Sequence, residues 1–236
     1  MPSAKKKKTG LTLRAWRIFK RVFLILFILQ LLYIILLKWI NPPVTITQFQ
    51  SWVNGYGLKR DYVDLSEISL NMKLAVMASE DQKFLKHTGI DWVTVEKVLE
   101  NKKKKKRIRG ASTISQQVAK NVFLWQGRSW FRKALEVYFT KMIEWIWGKR
   151  RILEVYLNVI ETGKGVFGVE AAAQKTFGKP ASQLSQKEAA LLASFLPNPK
   201  VYSIKPFSGY IQTKTAWIIT QMNYLKRYKD IQQLLQ

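Results

Sequence analysis

The chain is 236 residues long with 47% hydrophobic and 13% aromatic residues, room for one domain of ordinary size with an appendage and enough apolar material for a packed core. Cysteine is absent and histidine occurs once, at His87, which excludes disulfides, cysteine nucleophiles and Cys/His zinc sites; any catalysis falls to carboxylates, Lys, Arg, Tyr or a hard cation held by oxygen. Forty Lys and Arg against 15 Asp and Glu give a net charge of +25, and a surplus of that size points to an anionic partner: nucleic acid, acidic lipid or a phosphorylated substrate.

A basic tail, residues 1–21, leads into an uncharged run of 16 residues from Val22 to Leu37, and Lys38 can snorkel so that the span extends to residue 40. That is close to the roughly 20 residues a bilayer requires. No small-residue cleavage pattern follows it, and Asn41-Pro42-Pro43 ends the helix, which favours a retained membrane helix over a cleaved signal peptide. Lys5 to Lys8, Arg14, Arg17, Lys20 and Arg21 precede the span, whereas Asn41 to Gly57 carry no charge, so the N-terminus is expected in the cytoplasm and the bulk of the chain outside. Beyond residue 40 the chain keeps 31 of its basic residues against all 15 acids. For an extracytoplasmic domain that surplus makes nucleic acid a poor partner and an anionic membrane face or phosphorylated lipid a better one.

Residues 41–64 read as a membrane-proximal linker, in which Val44 to Phe49 alternates weakly as a strand would. The rest, 65–236, reads as a mainly α domain; Val201 to Ile204 is the other short strand signal. An apolar helical run, Leu74 to Ala78, ends in Glu80-Asp81. Adjacent acids point about 100° apart on a helix, so one can enter a cleft while the other pairs nearby. Lys102 to Lys106 with Arg107 and Arg109 fit either a solvated loop or a contact with lipid headgroups or substrate phosphates. Thr113 with Gln116 forms a capping box; Ile114, Val118 and Val122 make an apolar stripe, and Thr113, Gln116, Gln117 and Lys120 share the opposite face, a helix start suited to phosphate.

The next helix carries an expected apolar stripe of Ala134, Leu135, Tyr138, Phe139, Met142 and Ile146, with Glu136 at its edge beside Arg132 and Lys133. Gly163, Gly165 and Gly168 imitate a dinucleotide fingerprint, but the segment before them, Ile152 to Ile160, has helical spacing, so they read as loop glycines between helices. Ser185 with Glu188 caps the run Ala189 to Leu196, which Pro197-Asn-Pro199 closes, and a last helix is expected over Tyr210 to Leu225.

Four segments resemble, in order and spacing, the successive motifs of the peptidoglycan glycosyltransferases of the lysozyme-like class: ED-x-x-F-x-x-H-x-G at Glu80 to Gly89, G-x-ST-I-x-QQ-x-x-KN at Gly110 to Asn121, RK-x-x-E at Arg132 to Glu136 and K-x-x-ILE-x-YLN at Lys149 to Asn158. The pattern runs from about residue 65 to 205, and the length suits the monofunctional, single-domain members. The resemblance implies a lysozyme-like, two-lobed glycosyltransferase domain behind one transmembrane helix. It implies polymerisation of lipid II into glycan strands, with inversion and release of polyprenyl pyrophosphate, and no transpeptidase activity. By the same resemblance Glu80 is the base and Glu136 the second carboxylate, near the pyrophosphate and a candidate ligand for a divalent cation, Mg²⁺ or Mn²⁺. Ser112, Gln116, Gln117, Lys120, Arg128 and Lys133 match substrate- and phosphate-binding positions. Asp81, His87, Gly110, Thr113, Asn121, Arg132, Lys149, Tyr156 and Asn158 match supporting ones. The implied partners are lipid II, the nascent strand, lipids of the cytoplasmic membrane and cell-wall synthesis complexes. The implied location is the inner membrane with a periplasmic catalytic domain. Leu85 and Thr176 depart from the family pattern at positions where an aromatic is usual. The competing readings are a glycan-cleaving lytic transglycosylase or lysozyme, which has no need of the phosphate set, and a silent wall-assembly scaffold, against which the retention of both glutamates argues.

Overall fold

The computed structural model describes residues 9–103, 110, 112–127, 129–199 and 208–235. They fall into two compact units that divide after Ile40. The first holds helix α1, Thr9–Leu36, within which Leu13–Leu36 has a mean hydropathy of 2.3 and is the one helix among the described residues long and apolar enough to cross a membrane. Its 24 residues span about 36 Å at 1.5 Å per residue, against a hydrocarbon core of about 30 Å. The helix starts inside the basic tail and stops short of residue 40. Arg14, Arg17, Lys20 and Arg21 are good helix formers, and Trp16, Phe19, Phe23 and Phe27 stack ring on ring at helical spacing straight through Val22.

The second unit opens with α2, Ile46–Val53, in place of the expected strand. A capping box decides this: the Gln48 N–H donates to Thr45 Oγ1 and the Thr45 N–H to Gln48 Oε1. The helix is turned polar face inward, with Thr47, Gln48 and Ser51 buried while Ile46, Phe49, Trp52 and Val53 stay exposed. Residues 41–64, read as a linker, therefore pack within this unit, α2 against α5 (Ile114–Phe123) and strand β1 (Lys59–Arg60) into a small sheet. That sheet has the order β1-β3-β2, where β2 is Glu161–Gly163 and β3 is Val166–Phe167; β3 runs parallel to β1 and antiparallel to β2. The glycines read as a plain loop thus make a hairpin. Gly165, at φ +66°, approaches so closely that a Cβ would lie 1.9 Å from the Tyr56 carbonyl oxygen.

Helix α3, Leu70–Glu80, is buried all round from Met72 to Ala78 and forms the core of one helical group with α9 (Gln186–Phe195) and α10 (Gly209–Leu225). Its Ser69 cap accepts from the Met72 N–H, and the Ser185–Glu188 capping box of α9 forms as the sequence indicates. Helix α5 packs on α6 (Trp130–Ile146) and α7 (Gly148–Val159) in a second group. Helices α4 (Trp92–Lys103) and α8 (Val169–Phe177) complete the body, and α11, Lys229–Leu235, follows α10. Seven residues are too few to show a helical period, so α11 went unread; it is held by Lys73 Nζ on the Leu235 carbonyl and Arg150 on that of Leu234. The Val201 to Ile204 strand signal lies outside the described residues.

The expected orientation of α6 is corrected. Its buried positions are Arg132, Glu136, Thr140 and Ile143, while Leu135, Tyr138, Phe139, Met142 and Ile146 are only half-buried and Ala134 is exposed. Glu136 stands at the centre of the buried face and not at the edge of an apolar stripe. The half-buried apolar residues serve the flank, where Phe139 stacks on Phe123 of α5 at 4.7 Å.

Candidate active site

Helices α5 and α6 and the turn between them enclose a cleft of about 570 Å³. Ser112, Gln116, Gln117 and Lys120 line it from α5 and its approach, Arg132, Lys133 and Glu136 from α6, and Gln126 and Gly127 from the turn. All the described residues read from the sequence as substrate- or phosphate-binding therefore meet in one place; Arg128 lies outside the described residues. Gln126 and Gly127 were not foreseen. Gln126 donates from Nε2 to Thr47 Oγ1 at 2.7 Å, tying the cleft to α2, and reaches Asn121 Oδ1 at 3.5 Å.

The α5 wall forms as its pattern requires. The Gln116 N–H donates to Thr113 Oγ1 and the Thr113 N–H to Gln116 Oε1, so the helix starts at Ile114 with Ile114, Val118 and Val122 buried. On the α6 wall, Glu136 accepts from Arg132 Nη1 at 2.8 Å and from Lys133 Nζ at 2.5 Å, so each carboxylate oxygen holds a cation. Arg132 Nε is buried with no hydrogen-bond partner among the described residues. Burial lowers the Lys120 ammonium from its ordinary value, a pull that Glu136 opposes and that Arg132 and Lys133 reinforce. Among the described residues the cleft presents three cations to one carboxylate, and that one is already paired.

Glu80, the last residue of α3, is held differently. Its Oε2 accepts from Gln117 Nε2 at 2.9 Å and its Oε1 from Ser79 Oγ at 3.0 Å, and no cation lies within ion-pair distance among the described residues. The Gln117 amide is oriented from both ends, since its Oε1 accepts from the Tyr156 hydroxyl at 3.3 Å. Tyr156 is fully buried, and burial first, then the charges of Glu80 and Asp81, push its hydroxyl well above the usual range, so it stays a neutral donor.

The supporting residues fix this geometry. Asp81 is buried and accepts from His87 Nε2 at 3.0 Å and from the Ile114 N–H at 3.1 Å. The Gly89 N–H donates to His87 Nδ1, which places the ring proton on Nε2, facing Asp81. Thr113 Oγ1 donates to the Gly89 carbonyl at 2.6 Å, so the loop after Glu80 is stapled to the start of α5 and Gln117 arrives opposite Glu80 one turn later. Gly89 has φ +91°, and a Cβ there would lie 2.6 Å from Thr140 Cγ2 and 2.9 Å from Glu144 Cγ.

Lys149 pairs with Glu144 at 2.7 Å, and its ammonium sits 4.5 Å from the centre of the Phe84 ring; burial lowers its affinity for a proton. Glu144 also accepts from Ser115 Oγ at 2.5 Å. Asn158 clasps Val63 through both its amide atoms, accepting from the N–H and donating to the carbonyl. Gly110 is exposed with nothing near a notional Cβ, so space does not demand glycine there. Glu144 escaped the sequence reading because it falls on a face of α6 that was read by its apolar residues. Its spacing of five residues from Lys149 was the available signal.

Among the described residues no cluster of three metal-ligating side chains occurs. Glu136 offers a single carboxylate whose two oxygens already hold Arg132 and Lys133, so a metal ion there would need its other ligands from a phosphorylated substrate.

The family model described as Transglycosylase matches residues 46–223. The chain belongs to the transglycosylase family. The matched segment of this transglycosylase takes in α2, both glutamates and every described residue of the cleft. Among curated relatives, a biosynthetic peptidoglycan transglycosylase of Escherichia coli is 54% identical over 182 residues, covering 75% of this chain and 75% of that protein. The protein of the same name from Yersinia pseudotuberculosis is 56% identical over 182 residues, 75% of this chain and 76% of its own length.

Proposed function

We propose that this transglycosylase polymerises peptidoglycan glycan strands, transferring the growing lipid-linked chain to the 4-hydroxyl of the GlcNAc of lipid II, inverting the anomeric centre and releasing polyprenyl pyrophosphate. One observation carries the reading: a carboxylate held only by neutral donors stands one hydrogen bond from a cleft where Lys120, Arg132 and Lys133 converge. The acceptor oxygen attacks C1 of the donor sugar and its proton passes to Glu80, whose oxygens have no cation in ion-pair range among the described residues. As the C1–O bond breaks, the electron pair goes to the pyrophosphate, and the three cations stabilise the charge that develops there. Glu136 holds Arg132 and Lys133 in place for that task. A divalent cation, Mg²⁺ or Mn²⁺, would be held by Glu136 together with the pyrophosphate, supplying further neutralisation of the leaving group. A glycan-cleaving enzyme develops no phosphate charge, so the cation set favours synthesis over cleavage.

The anchor reading follows the same line. The apolar part of α1 is consistent with a single-pass anchor, and the basic residues before it support the reading that the N-terminus is cytoplasmic and the domain works on the outer face of the cytoplasmic membrane. The test is to incubate the full chain in detergent with labelled lipid II and divalent cation, beside Glu80→Gln. Lysozyme-sensitive polymer from the wild type alone is the expected result. Shortening of preformed glycan by the wild type would replace the reading with cleavage, and no change in either would leave a scaffold.

A further inference from the structure

We propose that helix α11 is a strap that holds Glu80 against Gln117, and that Lys73 and Arg150 are the positioning residues through which it acts. The inference rests on the polymerase reading, since it concerns how the base of that reaction is presented. The family model ends at residue 223, so α11 lies outside the matched segment.

A seven-residue helix is too short to persist in water unaided, so α11 depends on what it touches. Ile231 and Leu235, one turn apart, bury one side of it. Its own last turn holds no basic residue, and the carbonyl groups left over there accept from cations of two other helices. Lys73 Nζ of α3 donates to the Leu235 carbonyl at 3.4 Å, and Arg150 Nη1 of α7 donates to the Leu234 carbonyl at 3.0 Å. Lys73 is 5% exposed with no carboxylate in ion-pair range among the described residues, a costly placement for an ammonium whose side-chain hydrogen bond among them goes to α11. Burial first, then the charge of Arg150, lowers its affinity for a proton, so the two cations share one neighbourhood.

Both helices that grip α11 also govern Glu80. Seven residues are nearly two turns, so Lys73 and Glu80 leave α3 on nearly the same side, about 10 Å apart along its axis. Helix α7 carries Tyr156, whose hydroxyl donates to Gln117, and Gln117 donates to Glu80. The bonds therefore close a ring: α3 reaches α7 at one point through Glu80, Gln117 and Tyr156, and at another through Lys73, α11 and Arg150. Helix α3 packs chiefly on α9 and α10, and α7 on α5, so the ring joins the two helical groups. The staple at Thr113 fixes the loop after Glu80, and α11 fixes the rod before it. The cations of the first cleft, by contrast, all come from α5 and α6 within one group. Loosening the strap thus displaces the base and spares the phosphate set, which lowers kcat and leaves KM alone.

The experiment compares Lys73→Met, Arg150→Gln and Arg150→Lys with the wild type, each as the full chain in detergent micelles. Three quantities are read: lipid II turnover, hydrogen exchange of the α11 amides, and the NMR resonance of the Gln117 side-chain amide, assigned by its absence in Gln117→Met. Lys73→Met and Arg150→Gln should each speed α11 exchange roughly tenfold, shift the Gln117 resonance and lower kcat about fivefold or more at unchanged KM. Arg150→Lys, which keeps a donor, should restore most of the turnover. Arg150 is exposed, so its variants keep the test alive if Lys73→Met does not fold. A helix that only stabilised the domain would lower kcat with the folded fraction and leave the Gln117 resonance in place. That outcome overturns the proposal, as does wild-type exchange of α11 in both variants, or an unchanged kcat with α11 released. A wild type that converts no lipid II, while α11 exchange and the Gln117 resonance still respond together, defeats the polymerase reading and leaves the strap standing. Conversion of lipid II with no response at Gln117 defeats the strap alone.

Discussion

Helices α3 and α6 each deliver a glutamate to the site, and they do so by opposite constructions. Helix α3 is buried from Met72 to Ala78 and ends in its glutamate, so Glu80 projects from a buried rod and is oriented by two neutral donors, Ser79 and Gln117. Helix α6 buries a polar face, and Glu136 lies near its middle, 3% exposed and clasped by Arg132 and Lys133. A carboxylate without a cation can take a proton from a substrate. One that already neutralises two cations is better suited to hold them against a phosphate. The difference lies in the neighbours the two helices supply, not in the side chains.

The largest expected effects separate the two. Glu80→Gln should lower polymerisation by roughly 10²- to 10⁴-fold, the range a general base supplies, while the melting temperature stays close to that of the wild type. Glu136→Ala should lose activity too, but by breaking a buried pair it should also destabilise the fold by about 3 kcal/mol, read in denaturant titration. Equal stability of the two variants would end the contrast. Gly89→Ala comes next: strain at φ +91° and the approach to Thr140 and Glu144 should cost about 3 kcal/mol and loosen the staple between the Glu80 loop and α5.

How much of this was legible depends on whether a residue's role is local. The capping boxes at Thr113 and Ser185 and the apolar stripe of α5 lie within one or two turns of chain, and all formed as read. The described motif residues Ser112, Gln116, Gln117, Lys120 and Lys133 line one cleft because their helices pack against each other. Helix α6 failed because its burial is decided by a neighbour distant in sequence. A stripe of apolar residues signals a buried face only when the competing face is not filled by ion pairs that satisfy each other, and the Arg132–Glu136–Lys133 set does that. The same error hid α2, whose buried face is polar. The bonds from Ser115 to Glu144 and from Gln126 to Thr47 join segments far apart in the chain, and no spacing rule reaches that distance.

Lys120 sharpens the contrast through pH. Burial lowers its ammonium below the ordinary 10.5, and an anionic pyrophosphate is held by the protonated form. Affinity for lipid II, read as KM, should therefore weaken as pH rises through that lowered value, before an exposed lysine would titrate. Lys120→Arg, which stays charged throughout, should flatten this alkaline limb. An unchanged alkaline limb in the Arg variant would remove Lys120 from the phosphate set.

The smallest effect comes from a third glutamate, at a helix start. Glu188 in the first turn of α9 is lowered to about 2 by its hydrogen bonds from Lys179 and Ser185, the lysine contributing most. A depressed carboxylate adds stability that is present above its unfolded value near 4.5 and is lost as pH falls from there toward 2. Glu188→Gln should thus lower the melting temperature slightly at pH 7 and not at all near pH 2, and Lys179→Ala should reproduce part of the loss. Activity should follow neither, because this carboxylate contributes only to the capping of α9, far in role from the two that face substrate. A change in turnover at constant stability in Glu188→Gln would mean that α9, which packs on α3, also governs how Glu80 is presented.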